Sequence, residues 1–253
     1  MQNQIGHWFV CTAIALALLI GGCTDGVGSS SPTTDSSGDN PSAVAQTPPS
    51  NLSSNLPRLE GKATVLMVVN GEPITIEVDG THAPVTAGNF VDLVQKGVYD
   101  DLAFHRVVRN PEPFVVQGGD PQSKDANFRG QLGTGGYTDP TTGQERNIPL
   151  EIMPSGAEDP LYGTTFQMAG ISQAPELEHT RGAVAMARSQ APNSASSQFY
   201  FTLNDLPFLD GSYAVFGYVT DGMDVVDEIQ QGDRIDSARV VEGLENLQLP
   251  NQS

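Results

Sequence analysis

The sequence predicts a mainly β domain: a closed antiparallel barrel with helices over its ends. Three observations support it. Short strand-like runs recur from Lys62 to Val219, turn residues separate them, and only two stretches carry helical spacing. Many short strands with few helices bury one face by rolling the sheet on itself, which also removes its edges.

The domain begins near residue 59 and runs to about 249. Lys62 to Val69 and Ile74 to Val78 flank Asn70-Gly71, a two-residue hairpin signal. Pro73 falls at the start of the second run, where a missing N–H is tolerated. Ile74, Ile76 and Val78 alternate, so one face is buried. Pro84 opens a helix at its first turn, Ala87, Phe90, Val91 and Val94 follow at helical spacing, and Gly97 stops it. Val107-Val108 and Val115-Val116 read as short buried strands, split by Pro111 and Pro113. Further strand-like runs are Thr165–Ala169, Ala183–Ala187, Gln198–Leu203 and Ala214–Val219, and a second short helix fits Met223 to Ile229 with Val226 facing in. Residues 121–180 are rich in glycine, proline and acid. Within them Thr138 to Ile148 and Pro154 to Pro160 read as surface loops.

The 253 residues carry 12 Lys+Arg against 30 Asp+Glu, a net charge of −18. That argues against a nucleic-acid partner, since phosphate contacts need clustered cations. Residues 1–23 read as an export signal whose apolar run, Val10 to Ile20, is too short to span a bilayer stably. It ends Ile20-Gly21-Gly22-Cys23, and small residues before a Cys resemble the bacterial lipoprotein box, with Cys23 as the lipidated residue. An ordinary signal or a short anchor with an incidental Cys also fits, and no Lys or Arg precedes Arg58. Residues 24–58 are rich in Ser, Thr and Pro and cannot offset their own ordering entropy, so a disordered tether is expected. Both cysteines, Cys11 and Cys23, lie in the leader, which leaves no disulfide for the domain. The expected location is extracytoplasmic: lipid-anchored at a cell membrane or its periplasmic face.

The stretch from Phe104 to Asp120 carries polar groups with no obvious core role. Arg106 sits beside apolar neighbours on a strand, where a cation is costly unless something uses it. Gln117 ends a strand before Gly118-Gly119, where the backbone can turn sharply or admit another chain closely. An arginine paired with an acid beside a turn would account for these residues alone. Arg181 to Arg188, Ser196 to Phe201 and Phe208 to Gly217 change the weighting. Together the FHR…F…QGGD, SQF and FLDG…VFG patterns resemble the cyclophilins, the cyclosporin-binding peptidyl-prolyl isomerases, over about residues 60 to 248 with one long insertion.

The resemblance implies an eight-stranded barrel capped by two helices and an isomerase that needs no cofactor. Proline isomerisation breaks no covalent bond; its barrier, roughly 18–20 kcal/mol, is amide resonance. A donor aimed at the prolyl nitrogen favours the twisted state selectively, because that nitrogen gains lone-pair character as the amide turns. By resemblance Arg106 is that donor, Phe114 belongs to the proline pocket, and Gln117 orients the arginine and the substrate backbone. Val115, Tyr200 and Leu209 match the rest of the pocket, and Phe104 packs near the arginine. Ala187, Arg188 and Gln198 match the peptide groove, with Arg188 in place of a common Asn. Phe208 stands at the family's tryptophan and Tyr213 at its usual histidine. Gly133-Thr134-Gly135-Gly136 matches a glycine loop bordering the groove. The Arg106–Phe114 gap is longer than usual.

The same residues admit other readings. His105 has no second His or Cys at ligand spacing, so it reads as structural or rim rather than metal-binding. His82 and His179 read as surface residues. A hydrolase built on Ser196 or Ser197 lacks a G-x-S-x-G turn. The expected function is isomerisation of Xaa-Pro bonds in exported or membrane-associated clients, with cyclosporin bound weakly because Phe208 lacks an indole N–H. A peptide-binding chaperone or scaffold with little turnover is the alternative.

Overall fold

The structure, a computed structural model, describes residues 55–250; the leader with Cys23 and residues 24–54 of the tether lie outside them, while Arg58, at the end of the expected tether, is already in strand. The strands are β1 (Arg58–Leu59), β2 (Lys62–Val69), β3 (Glu72–Asp79), β4 (Arg106–Val108), β5 (Val115–Gly118), β6 (Glu151–Ile152), β7 (Leu161–Tyr162), β8 (Ala183–Met186), β9 (Phe199–Thr202), β10 (Val215–Asp221), β11 (Ile235–Glu242) and β12 (Leu247–Gln248). The α-helices are α1 (Pro84–Gln95), α2 (Phe166–Ala169) and α3 (Met223–Glu228). Eight strands form one antiparallel sheet in the order β11-β2-β3-β10-β8-β9-β5-β4.

The expected closed barrel is not seen: no ladder joins the edge strands β11 and β4 among the described residues. The segment entering β4 instead meets the start of β11 through one bridge, Ala103 to Arg234, with Phe104 N–H donating to Asp233 O at 2.8 Å and Ile235 N–H to Leu102 O at 2.9 Å. A Pro-broken, three-residue β4 is too short to carry a full closing ladder.

The β2–β3 hairpin follows its sequence. Asn70 and Gly71 both take positive φ, 53° and 82°, and Val69 pairs with Glu72 across them, as a two-residue turn requires. Ala63, Val65, Met67 and Val69 face in, as do Ile74, Ile76 and Val78. Helix α1 starts at Pro84 and ends before Gly97, whose φ is +65°. Its Phe90 packs on Tyr99, Phe199 and Phe216 at ring distances of 5.1, 5.4 and 4.9 Å, so the main core lies between α1 and the sheet. Val226 of α3 faces in as expected.

Three expectations fail for identifiable reasons. Thr165–Ala169 is not a strand: the Thr165 hydroxyl accepts from Met168 N–H and Gly170 closes the turn at φ 70°, which makes α2. Strand β11 was not anticipated because bulges between Ile235 and Ser237 and between Val240 and Glu242 break its alternation. Thr138 to Ile148 is more than a surface loop. Ile148 is buried there, and Arg146 reaches under the loop to Asp92 of α1 at 2.6 Å. Glu151 caps the same helix from outside its own chain segment, accepting from Val85 and Thr86 N–H at 3.0 and 2.7 Å. Ala83 at the helix start offers no side-chain cap, so the inserted segment satisfies donors that α1 leaves open.

Candidate active site

The period-two alternation that builds the core also builds the site on the opposite face of the sheet. Val116, Phe199, Phe201, Val184 and Met186 face the main core, while Val115, Tyr200, Ala183 and Ala185 form a second apolar cluster with Val215 and Leu206. Register places Arg106 opposite Gln117, Gln117 opposite Tyr200, and Tyr200 opposite Ala185. Four strands therefore contribute to one row. The turn Pro207–Leu209 and Tyr213 cover its end.

The row frames a cavity of about 220 Å³ lined by Arg106, Phe114, Val115, Gln117, Ala187, Arg188, Tyr200, Leu209 and Tyr213. The Arg106 guanidinium carbon lies 5.5 Å from the Phe114 ring centroid, and its Nη1 donates to Gln117 Oε1 at 3.3 Å. Gln117 Nε2 donates to Gln198 Oε1 at 3.1 Å, and Gln198 Nε2 to Gly135 O at 2.7 Å. Asp120, fully buried, accepts from Gly133 and Gly135 N–H at 2.6 and 3.2 Å and so fixes the glycine loop that ends this chain. Gly119 takes φ +86° where an added Cβ would meet Ser197 O at 2.5 Å; this is the close approach anticipated for the glycine pair.

A second cavity of about 300 Å³ adjoins the first. It shares Gln117, Ala187 and Arg188 and adds Gln198, the glycine loop, Ser194 and Glu145. Arg188 is not free to serve it. Its Nε and Nη2 donate to Ser212 O, its Nη1 donates to Ser189 and Gln190 O, and its guanidinium carbon lies 4.7 Å from the Tyr213 ring centroid.

Three candidates lie off the cavity wall. Phe104 is fully buried among Phe199 and Phe201, so it supports the strand from the core side. His105 packs against Gly133, and neither ring nitrogen has a partner; burial lowers its proton affinity below the ordinary value. Phe208 is 68% exposed and stacks on Phe114, with centroids 6.0 Å apart, so it extends the rim rather than the pocket. Arg109 donates to the carbonyls of Val226, Asp227 and Ile229 at the end of α3, which tethers the long Arg106–Phe114 connection. The serines of the weighed hydrolase are structural: Ser196 hydroxyl donates to Arg146 O and Ser197 hydroxyl to Gly119 O.

His179 is a correction. It is 2% exposed, not a surface residue, and bonds Asp210 and Tyr200. Sequence reasoning missed it because its partners lie 31 and 21 residues away, with no local pattern joining them. Glu145 was missed because a hairpin, Thr138 opposite Glu145, brings it to the groove.

Residues 64–246 match the family model of the cyclophilin type peptidyl-prolyl cis-trans isomerases. The chain belongs to the cyclophilin family. It is 45% identical over 204 residues to a Synechocystis protein named for peptidyl-prolyl isomerisation in the thylakoid lumen, covering 76% of this chain and 50% of that protein. It is 40% identical over 215 residues to a chloroplastic peptidyl-prolyl cis-trans isomerase of Arabidopsis thaliana, covering 78% and 46%. The chain thus spans about half the length of these curated relatives. A crystal structure of a Cryptosporidium parvum cyclophilin aligns with a TM-score of 0.54 at 24% identity, covering 72% of this chain and 98% of that one. That likeness shows the mainly β cyclophilin fold. No helix among the described residues is long and apolar enough to cross a membrane.

Proposed function

We propose that this cyclophilin domain accelerates cis–trans exchange of Xaa-Pro bonds. One observation carries the reading: Arg106 lines a cavity of about 220 Å³, large enough for a proline ring and walled by Phe114, Val115, Tyr200 and Leu209, with most of its donors uncommitted. Phe114, Val115, Tyr200 and Leu209 take the ring, and Arg106 donates to the prolyl nitrogen as the amide twists. Gln117 holds the guanidinium through its amide oxygen. An arginine suits this task because it stays charged and its planar fork can hold a carbonyl as well. Lowering the barrier by about 7 kcal/mol gives about 10⁵-fold. A soluble protein from about Leu59 is expected to be active. Arg106→Ala should remove most activity while the domain stays folded, and Arg106→Lys should lose much of it. Wild-type exchange in folded Arg106→Ala would refute the mechanism and leave a peptide-binding module.

The clients we propose are proline-containing segments of exported or membrane-associated proteins. The leader and tether support an extracytoplasmic place, with Cys23 carrying the lipid. Stable anchoring needs two membrane signals, which a lipidated N-terminal Cys supplies. Cys23→Ser should release the protein to the soluble fraction or block its processing. A processed Cys23→Ser protein still in the membrane fraction would refute the anchor.

A further inference from the structure

Behind Tyr200 lies a buried imidazole that the isomerisation does not use. His179 Nδ1 is 2.7 Å from Asp210 Oδ1, and Nε2 is 3.0 Å from the Tyr200 hydroxyl. The His179 N–H also donates to Asp210 Oδ1 at 2.9 Å, and its carbonyl accepts from Leu206 N–H at 2.7 Å. A neutral imidazole donates from one nitrogen and accepts at the other. A carboxylate accepts only, so Nδ1 carries the proton toward Asp210 and Nε2 accepts the Tyr200 O–H. The two rings are nearly parallel, 14° apart, with centroids at 6.1 Å.

This chain of bonds joins separate pieces of the cavity wall. Tyr200 comes from β9. Leu209 comes from the Pro207–Leu209 turn, whose first turn residue follows Leu206 and whose end is capped by Asp210. A phenylalanine at position 200 would fill the same volume without a hydroxyl to satisfy. Burying a phenol O–H beside an imidazole is costly unless both are bonded, and here each satisfies the other. Burial also favours the neutral ring, against the pull of Asp210.

We propose that His179, with Asp210, is a positioning residue that sets the width of the proline cavity: it holds Tyr200 and the Leu209 turn in one register and so selects a five-membered ring. The proposal rests on the isomerase reading above. A histidine that merely stabilised the fold would change turnover of all substrates together. One that sets the cavity width would change the ratio between ring sizes.

The test compares full-length wild type, Tyr200→Phe, His179→Gln and the double variant on matched peptides containing proline or pipecolate, which differ by one methylene. In an apolar pocket one methylene is worth about 10–200-fold. Wild type is expected to prefer proline by at least about tenfold, and each single variant to lose at least about threefold of that ratio. The double variant should be no less selective than Tyr200→Phe alone. An unchanged ratio in folded Tyr200→Phe, which removes one atom, overturns the proposal. So does a nitrogen-15 imidazole spectrum showing His179 protonated on Nε2 rather than Nδ1 in the native protein. Affinities for both peptides are measured alongside. A wild type without turnover then overturns the isomerase reading, while ring-size selectivity in binding still decides this one.

Discussion

Gln198 offers a stringent test of how Arg106 is held. Arg106, Gln117, Gln198 and Gly135 form a chain in which every donor points the same way, from guanidinium to amide to amide to backbone carbonyl. Each amide is fixed in orientation, because flipping it would set oxygen against oxygen at one end and donor against donor at the other. Such chains polarise one another. Gln198→Leu removes the bonds at 3.1 and 2.7 Å together. A neutral hydrogen bond contributes about 0.5–1.5 kcal/mol, so the two are worth about 1–3 kcal/mol. Only the share that restrains Arg106 reaches the transition state, and the Arg106–Gln117 bond is the longest of the chain at 3.3 Å. If about half is transmitted, kcat/KM should fall by about two- to tenfold.

The assay is exchange of an Xaa-Pro peptide, read by nuclear magnetic resonance, in a double-mutant cycle with Arg106→Ala. If the chain acts through Arg106, Gln198→Leu should cost little once Arg106 is gone. The same loss in both backgrounds would refute the reasoning and make Gln198 a substrate contact only.

Other outcomes follow from single contacts. Arg146→Met leaves the buried Asp92 carboxylate with Lys96 alone, and should cost about 3 kcal/mol of stability by urea titration. Burial lowers the proton affinities of His105 and His179 from the ordinary 6.5, so the unfolded chain takes protons first as pH falls. Stability should therefore be fully present above that value and be lost as pH drops through the lower folded values, and His105→Gln should flatten the decline that begins as pH falls below about 6.5. Glu145 faces the second cavity without a partner among the described residues, so peptides with a Lys ahead of the proline should bind up to about fivefold tighter than those with a Glu. Glu145→Lys should reverse that order in calorimetric titrations. Phe208→Trp should tighten cyclosporin inhibition by up to about tenfold, one neutral hydrogen bond, and give a single domain fluorophore whose emission changes on binding.

The fold was legible where one segment settles its own structure. Asn70-Gly71 sets a turn by φ alone, Pro84 and Gly97 bracket α1, and the alternation of β2 and β3 assigns each side chain to a face. The candidate site was legible through the family resemblance that FHR, QGGD and SQF carry, and the register sets Arg106 beside Gln117 and Gln117 beside Tyr200 on adjacent strands. Illegible were contacts whose two halves are far apart in the chain and have no periodicity in common. Glu151 caps α1 across 65 and 66 residues, and Arg146 pairs with Asp92 across 54. A buried carboxylate and a half-buried guanidinium read as surface charge until their partners are known, so the insertion reads as loops in the sequence. Thr165–Ala169 failed differently: its apolar residues fit either period, and a cap and a left-handed glycine decided for helix.

Charge bears on the same point. The chain is acidic overall, yet two guanidinium groups border its principal cavity. Net charge does not say which could assist a twisting amide; donor accounting does. Nε and both terminal nitrogens of Arg188 are spent on the carbonyls of Ser189, Gln190 and Ser212. To reach a substrate it would have to give up these bonds, each worth about 0.5–1.5 kcal/mol. Arg106 makes one long bond, to a glutamine that cannot neutralise it. No carboxylate pairs with it among the described residues, although acids outnumber bases in the chain by 30 to 12. An acid there would offer the guanidinium a better acceptor than a prolyl nitrogen. A neutral amide at Gln117 accepts from the cation without neutralising it, so on the isomerase reading proposed above Gln117→Glu should lower turnover of an Xaa-Pro peptide.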